Sequence, residues 1–303
     1  MNIVTTASEC PIGQTDGAQT SERRFDSLAV CVGSPKCGTT WLDAILREQM
    51  PERFPVGVKE TFFLDREYHR GVSWYAKLFQ SDCKRPIEIA PSYLNCHEGP
   101  ERLSNLANSV RVLIFVRDPY DRAASDLLHS VGRGRFWINN DDSSDTELSG
   151  QVAEDAESYS LYDVHTQRWL SANPDFLAVV PFPIRDAKWF RDVIAKFIND
   201  DPDWLTEDWV EQQVNRRVYG SAIPRNRVIA FLTKHFRLLT PRSLRKLVRN
   251  NKWLYRQNAD ADLRSKAKEM VQQFDFRPQQ EWLEQQIGDG WIGKDCEVNG
   301  HQS

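Results

Sequence analysis

The sequence predicts an α/β fold with a central, mostly parallel sheet and helices on its flanks. Three observations carry this expectation. Residues 28–32 form a short apolar run that enters a loop bearing Gly33 and Gly38, after which a helical pattern opens on Thr39-Thr40. Residues 111–116, RVLIFV, are almost continuously apolar, as a strand buried on both faces of a parallel sheet should be, and run into Asp118-Pro119, a helix start. A further apolar run at 176–182 stands between helical patterns, so strands and helices alternate.

The other elements follow in order. Residues 1–25, rich in Thr, Ser, Gln and Gly, read as a flexible tail. The first helix should stop at Met50-Pro51, because proline has no N–H for the next turn. Residues 56–64, VGVKETFFL, read as a strand or strand end with Lys59 and Glu60 at its margin, and 68–79 as a helix with Trp74, Tyr75 and Leu78 on its apolar face. A short strand at 87–94 is broken by Pro91, and 100–107 suggests a helix. Residues 139–158 carry acids and no Lys or Arg, and are expected to be an acidic surface loop or disordered insert. Helices are expected at 161–170, at 186–198, where Trp189, Phe190, Val193, Ile194 and Phe197 form a stripe, and at 278–287, closed by Trp291.

Between 212 and 259 there are twelve Lys or Arg and no Asp or Glu, including an amphipathic basic pattern at 240–249. It reads as a solvated helix docked by its leucines, as a wall for an anionic cofactor or substrate, or as a membrane-surface contact. The whole is expected to be one domain over 26–293, with a short tail at 294–303.

Composition narrows the function. A formal charge of −4 and pI near 5.9 give no global case for a nucleic-acid partner or for membrane contact. The first residues show no basic stretch followed by an apolar run, and no segment approaches the ~18 apolar residues of a membrane span, so a cytoplasmic protein is expected. Six cysteines without a C-x-x-C pair suggest neither a zinc site nor a disulfide framework. Cys37 reads as a small side chain that fits its turn.

The loop after the first strand is the chemical centre. Free backbone N–H groups, a helix N-terminus and the mobile cation Lys36 converge where a phosphate-like anion would sit. Gly33 and Gly38 have P-loop spacing, but a Walker motif needs Lys and then Ser or Thr after the second glycine, whereas Thr39-Thr40 follow it here. That counts against an ordinary ATPase, although a small-molecule kinase and a non-catalytic nucleotide-binding protein stay open.

Residues 33–42, GSPKCGTTWL, resemble the 5′-phosphosulfate-binding loop of sulfotransferases that use 3′-phosphoadenosine 5′-phosphosulfate (PAPS). Residues 117–126, RDPYDRAASD, resemble the same family's 3′-phosphate-binding motif, and Lys59-Glu60-Thr61-Phe62-Phe63, Gly71-Val72-Ser73-Trp74-Tyr75 and Pro91-Ser92-Tyr93 match in order and spacing. The likeness is to heparan-sulfate-type and bacterial sulfotransferases, is good over 28–130 and fades afterwards. It implies a P-loop-like sulfotransferase fold and PAPS as cofactor, with PAP as product and no metal. By the resemblance, Ser34, Pro35, Lys36, Cys37, Gly38, Thr39 and Thr40 cradle the 5′-phosphosulfate, Trp41 stacks on or borders the adenine, and Arg117 and Ser125 take the 3′-phosphate.

Lys36 would stabilise charge on the leaving side, Glu60 would be the general base, and Lys59 would orient the acceptor or tune Glu60. The acceptor is expected to be a hydroxyl, less readily an amine, of a small organic molecule or glycan, in a pocket walled by the acidic insert and by Phe62, Phe63, Tyr93, Phe136 and Trp137. Two departures stand out. Ile89 occupies the position where the heparan-sulfate enzymes usually carry a lysine, and their late Lys-Gly-Arg loop is not recognisable, leaving Arg249, Lys252 and Arg256 as weak substitutes. His129 and His165 are expected to be structural. The sequence leaves the oligomeric state open.

Overall fold

A computed structural model describes residues 25–138, 150–214, 216, 223–236, 248, 250, 251, 253–256 and 259–288. Its centre is a parallel sheet of four strands in the order β2-β1-β3-β4: β1 (Phe25–Gly33), β2 (Ile87–Ile89), β3 (Ala107–Val116) and β4 (Phe176–Pro181). β1 pairs with β2 on one side, Cys31 opposite Ile89, and with β3 on the other, Val30 opposite Val112. The mostly parallel α/β class is the one expected.

The strands are apolar on both faces because both faces are covered. Alternate residues diverge. Ala29, Cys31, Leu113, Phe115, Phe176, Ala178 and Val180 face the helices α1 (Thr39–Gln49), α7 (Ala187–Ile198) and α8 (Glu207–Val214). Leu28, Val30, Val32, Val112, Ile114, Leu177 and Val179 face α2 (Val72–Ala76), α3 (Gly99–Ser104), α6 (Tyr162–Ser171) and the helix Arg277–Gly288. A smaller core joins α4 (Pro119–Gly132) to α5 (Gly150–Ser158) and the helix Ala261–Met270. The chain leaves β1 for one neighbour and β3 for the other, so the C-terminal ends of the strands frame a crevice of the kind that holds ligands in open α/β sheets.

Several local expectations are corrected. Residues 56–62 are irregular, and a π-helical turn, Phe63–Glu67, follows from Phe62 in the left-handed region (φ 55°). The physical reason is that the N–H and hydroxyl of Thr61 are engaged by the carboxylate of Glu88 rather than by a strand ladder. The helix expected over 68–79 is split by Gly71 (φ 81°) into a 3₁₀ turn, Tyr68–Arg70, and the short α2. The strand expected to 94 stops at Ile89, and Pro91–Asn95 forms a 3₁₀ turn. The second half of the acidic insert is α5, helical rather than loop, and Phe25, expected to end the tail, is the buried first residue of β1; residues 1–24, 139–149, Trp291, 294–303 and nearly all of 240–249 lie outside the described residues.

Candidate active site

The loop between β1 and α1 is fastened through Ser34. The N–H of Ser34 donates to Phe115 O on β3 at 2.6 Å, its hydroxyl donates to Tyr159 O at 2.8 Å, and Cys37 N–H closes a turn on Ser34 O at 3.3 Å. Lys36 (φ 70°) and Gly38 (φ 94°) are left-handed, and α1 opens at Gly38 with no side-chain cap. A helix N-terminus without a cap leaves its first N–H groups for a ligand. These residues therefore fit a phosphate-like group. Gly38 is required as glycine, since a Cβ there would lie 2.6 Å from the ring of Phe182.

Lys36 is half-buried, and burial pulls its ammonium down to about 8. Asp126 opposes that pull, whereas Arg133, Arg122 and Lys59 reinforce it. The lysine thus stands in a locally cationic pocket, which favours an anion beside it. Cys37 is fully buried, and burial pushes its thiol up to about 11, so it packs as a small apolar side chain. Thr39 is buried and Thr40 exposed.

Trp41 belongs to the core. It is 7% exposed, packs against Phe182 and Phe190 at ring separations of 5.8 and 5.7 Å, and donates its indole N–H to Gln213 O at 2.9 Å. The resemblance implies that Trp41 stacks on or borders the adenine; its ring sits between α1 and the Phe182–Phe190 side of the core.

The second junction, β3 into α4, differs from the first. Asp118 caps α4 by accepting from Asp121 N–H at 2.8 Å, and Gln280 donates to its other oxygen at 2.6 Å. The helix mouth is filled by the protein's own carboxylate, so an anion there must be held by side chains. Arg117 is the residue that the resemblance implies for this. One guanidinium nitrogen lies 3.4 Å from Lys36 O and another 3.4 Å from Asp121, which brings the β3 junction against the β1 loop. Ser125 is half-buried on α4.

Lys59 and Glu60 reach the same place from the irregular segment before Phe63. Lys59 Nζ is 2.9 Å from Glu60 Oε1 and 3.4 Å from Thr40 Oγ1, so the pair stands over the first turn of α1. Two expected pocket walls are corrected: Phe63 and Tyr93 are fully buried core residues, while Phe62, Phe136 and Trp137 are partly exposed. Ile89 is fully buried beneath α1, so the missing lysine is replaced by a core side chain.

Comparison with known proteins gives the family. A family model described as Sulfotransferase domain matches residues 26–178, half of the chain. The chain belongs to the sulfotransferase family. Among relatives of this sulfotransferase-family protein, mouse heparan sulfate glucosamine 3-O-sulfotransferase 3B1 is 36% identical over 107 residues, 35% of this chain and 27% of that protein. Mouse heparan sulfate glucosamine 3-O-sulfotransferase 5 is 31% identical over 196 residues, 57% of this chain and 54% of that protein. The chain thus spans between about a quarter and about half the length of these curated relatives. A crystal structure of a sulfotransferase from Alicyclobacillus acidocaldarius aligns with TM-score 0.48 and 20% identity, over 74% of this chain and 99% of that one.

Three buried charged residues near these segments were given no role by the sequence. Arg122 is fully buried, donates to Ser160 Oγ at 2.8 Å and also to Ala156 O, and lies 3.7 Å from Asp126, so it ties α4 to α5 behind the Lys36 loop. Asp126 faces Lys36 electrostatically. Glu88 is completely buried on β2. Its sequence signal was present, a single acid inside the apolar run IEIA. Among the described residues no group of three or more His, Cys, Asp or Glu is placed to hold a metal ion, and no helix is long and apolar enough to cross a membrane.

Proposed function

We propose that this protein transfers a sulfuryl group from PAPS to a hydroxyl of a glycan or a small organic acceptor, releasing PAP. The observation that supports the reading is the contact of Arg117 with the Lys36 carbonyl, which brings the β3–α4 junction against the loop between β1 and α1. A nucleoside triphosphate needs one continuous cradle; a 5′-phosphosulfate with a distinct 3′-phosphate needs two. Family membership supports PAPS as the donor, and the relatives named for heparan sulfate glucosamine support a glycan as one acceptor class.

When bound, PAPS supplies an activated sulfuryl group whose departure leaves negative charge on the 5′-phosphate. The chain's own groups act around that event. The N–H groups at the start of α1 and the loop, with Thr39 and Thr40, bind the 5′-phosphate, and Arg117 with Ser125 binds the 3′-phosphate. Lys36 meets the charge that develops on the leaving oxygen. Glu60 takes the acceptor's proton, and Lys59, paired with it at 2.9 Å, orients its carboxylate.

The test is calorimetric titration with PAP and with ATP, each with and without EDTA, together with labelled-sulfate transfer from PAPS to heparan-type glycans and small alcohols. Preferential PAP binding, indifferent to EDTA, with transfer to a hydroxyl, is expected. Preferential ATP binding that requires magnesium would make the protein a kinase; PAP binding with no transfer from PAPS to any acceptor would make it a non-catalytic binder. In the transfer assay, Glu60→Ala should remove turnover and leave PAP binding nearly intact.

A further inference from the structure

Glu88 is the most heavily bonded buried acid in the described structure. One carboxylate oxygen accepts from Thr61 N–H at 2.9 Å, Thr61 Oγ1 at 2.6 Å and Tyr93 OH at 3.0 Å; the other accepts from Tyr75 OH at 2.8 Å. Tyr93 OH in turn accepts from Phe63 N–H at 2.8 Å, and Thr61 Oγ1 accepts from the same N–H at 3.1 Å. All of these donors are buried.

The placement has a direct consequence for residues 59 and 60. Glu88 sits on β2 opposite Val30 of β1, three residues before that strand ends at Gly33. The segment it grips has no ladder of its own, and Thr61 follows Glu60 directly. With Thr61 fastened by both N–H and hydroxyl, Glu60 and Lys59 are suspended from the sheet at a fixed point, from which Lys59 reaches Thr40. Without that tie the backbone of 59–62 would have no strand to define its path.

We propose that Glu88 is a positioning residue of the transfer reaction, holding Glu60 over the α1 N-terminus through Thr61 and Tyr93. This rests on the reading of Glu60 as the general base. A misplacement of about 1 Å at a reacting group lowers rates by up to ~100-fold, so the role should appear in kcat and not in cofactor affinity.

The experiment uses the full chain and four proteins: wild type, Thr61→Val, Glu88→Leu and Glu88→Gln. Each is measured for kcat and KM with PAPS, for PAP affinity by calorimetry, and for amide exchange across 59–63. Thr61→Val should lower kcat about tenfold or more, leave PAP affinity and the KM for PAPS unchanged, and speed exchange at 59–63. Glu88→Leu should do the same more strongly, and Glu88→Gln, which keeps an acceptor for Thr61, should restore most of the activity lost in Glu88→Leu. If Glu88→Leu fails to fold, Thr61→Val carries the comparison alone.

The proposal is overturned if Thr61→Val keeps full kcat, if kcat and PAP affinity fall together, or if exchange at 59–63 is unchanged. Should the wild type transfer nothing from PAPS, the sulfotransferase reading fails by itself. The exchange measurement then still decides whether Glu88 holds the segment.

Discussion

Binding of PAP should become proton-linked above pH 8, and Lys36 is the reason. Burial takes its ammonium from an ordinary value of 10.5 down to about 8 in the free protein. That difference corresponds to up to ~3 kcal/mol held against the charged form. A phosphate or phosphosulfate at the α1 N-terminus would stabilise the ammonium, so the bound lysine stays protonated at pH 9, where only about one free molecule in eleven is. Raising the pH from 7 to 9 should therefore weaken PAP binding about tenfold, with about one proton taken up per ligand at pH 9.

The sign for stability runs the opposite way. The unfolded chain binds this proton more readily than the folded chain between pH 8 and 10.5, so the free protein gains stability as pH rises through that window, and Lys36→Met should stabilise it at pH 7. Calorimetry in buffers of different ionisation enthalpy reads the proton uptake, and denaturant melts read the stability. PAP affinity that is flat from pH 7 to 9, or a Lys36→Met variant with the same pH slope as the wild type, would refute the reasoning.

Other outcomes follow from single contacts. Arg117→Ala should weaken PAP by about ten- to a hundredfold while changing the affinity for adenosine 5′-phosphosulfate, which lacks the 3′-phosphate, by less than about threefold; parallel titrations of the two nucleotides separate a 3′-phosphate role from general damage. Gly38→Ala forces a Cβ to within 2.6 Å of Phe182 at φ 94°, so it should cost about 1–3 kcal/mol in a denaturant melt and weaken PAP as well. Cys31 and Cys37, with thiols pushed up to about 12 and about 11, should stay unmodified by N-ethylmaleimide at pH 8 in the native protein and react once it is unfolded, as read by peptide mapping.

The sheet was legible because its strands are buried on both faces and so appear as largely apolar runs, α4 and α7 because an aspartate cap stands at each start, and α1 because it follows the glycine loop directly. The segment 56–67 was not. Its alternation of Val56, Val58 and Phe62-Phe63 with charged residues mimics a strand, but its hydrogen bonds go to a carboxylate on β2, far along the chain, and no local pattern reports that partner. Gly71 was visible as a residue, yet only its positive φ turned one expected helix into two pieces.

The same division runs through the candidate site and explains why its two halves differ in legibility. An anion is bound by backbone at the joint of a strand and a helix, and such a joint is written in consecutive residues: the Gly33–Gly38 loop declares itself, and so does Asp118-Pro119, although the second proves to be capped from within. A base has no such signature. Glu60 is singled out in the sequence only by the resemblance of its segment, nothing local reports that its neighbour Thr61 is tied to Glu88, and Glu88 is an oddity inside an apolar run until Thr61, Tyr75 and Tyr93 are seen converging on it. Burying a carboxylate is costly unless donors surround it, so its four donors hold it at one position. On the proposed roles, local backbone geometry sets the cofactor half of the site and a buried polar network sets the acceptor half; substitutions in the two halves should separate into effects on affinity and effects on rate.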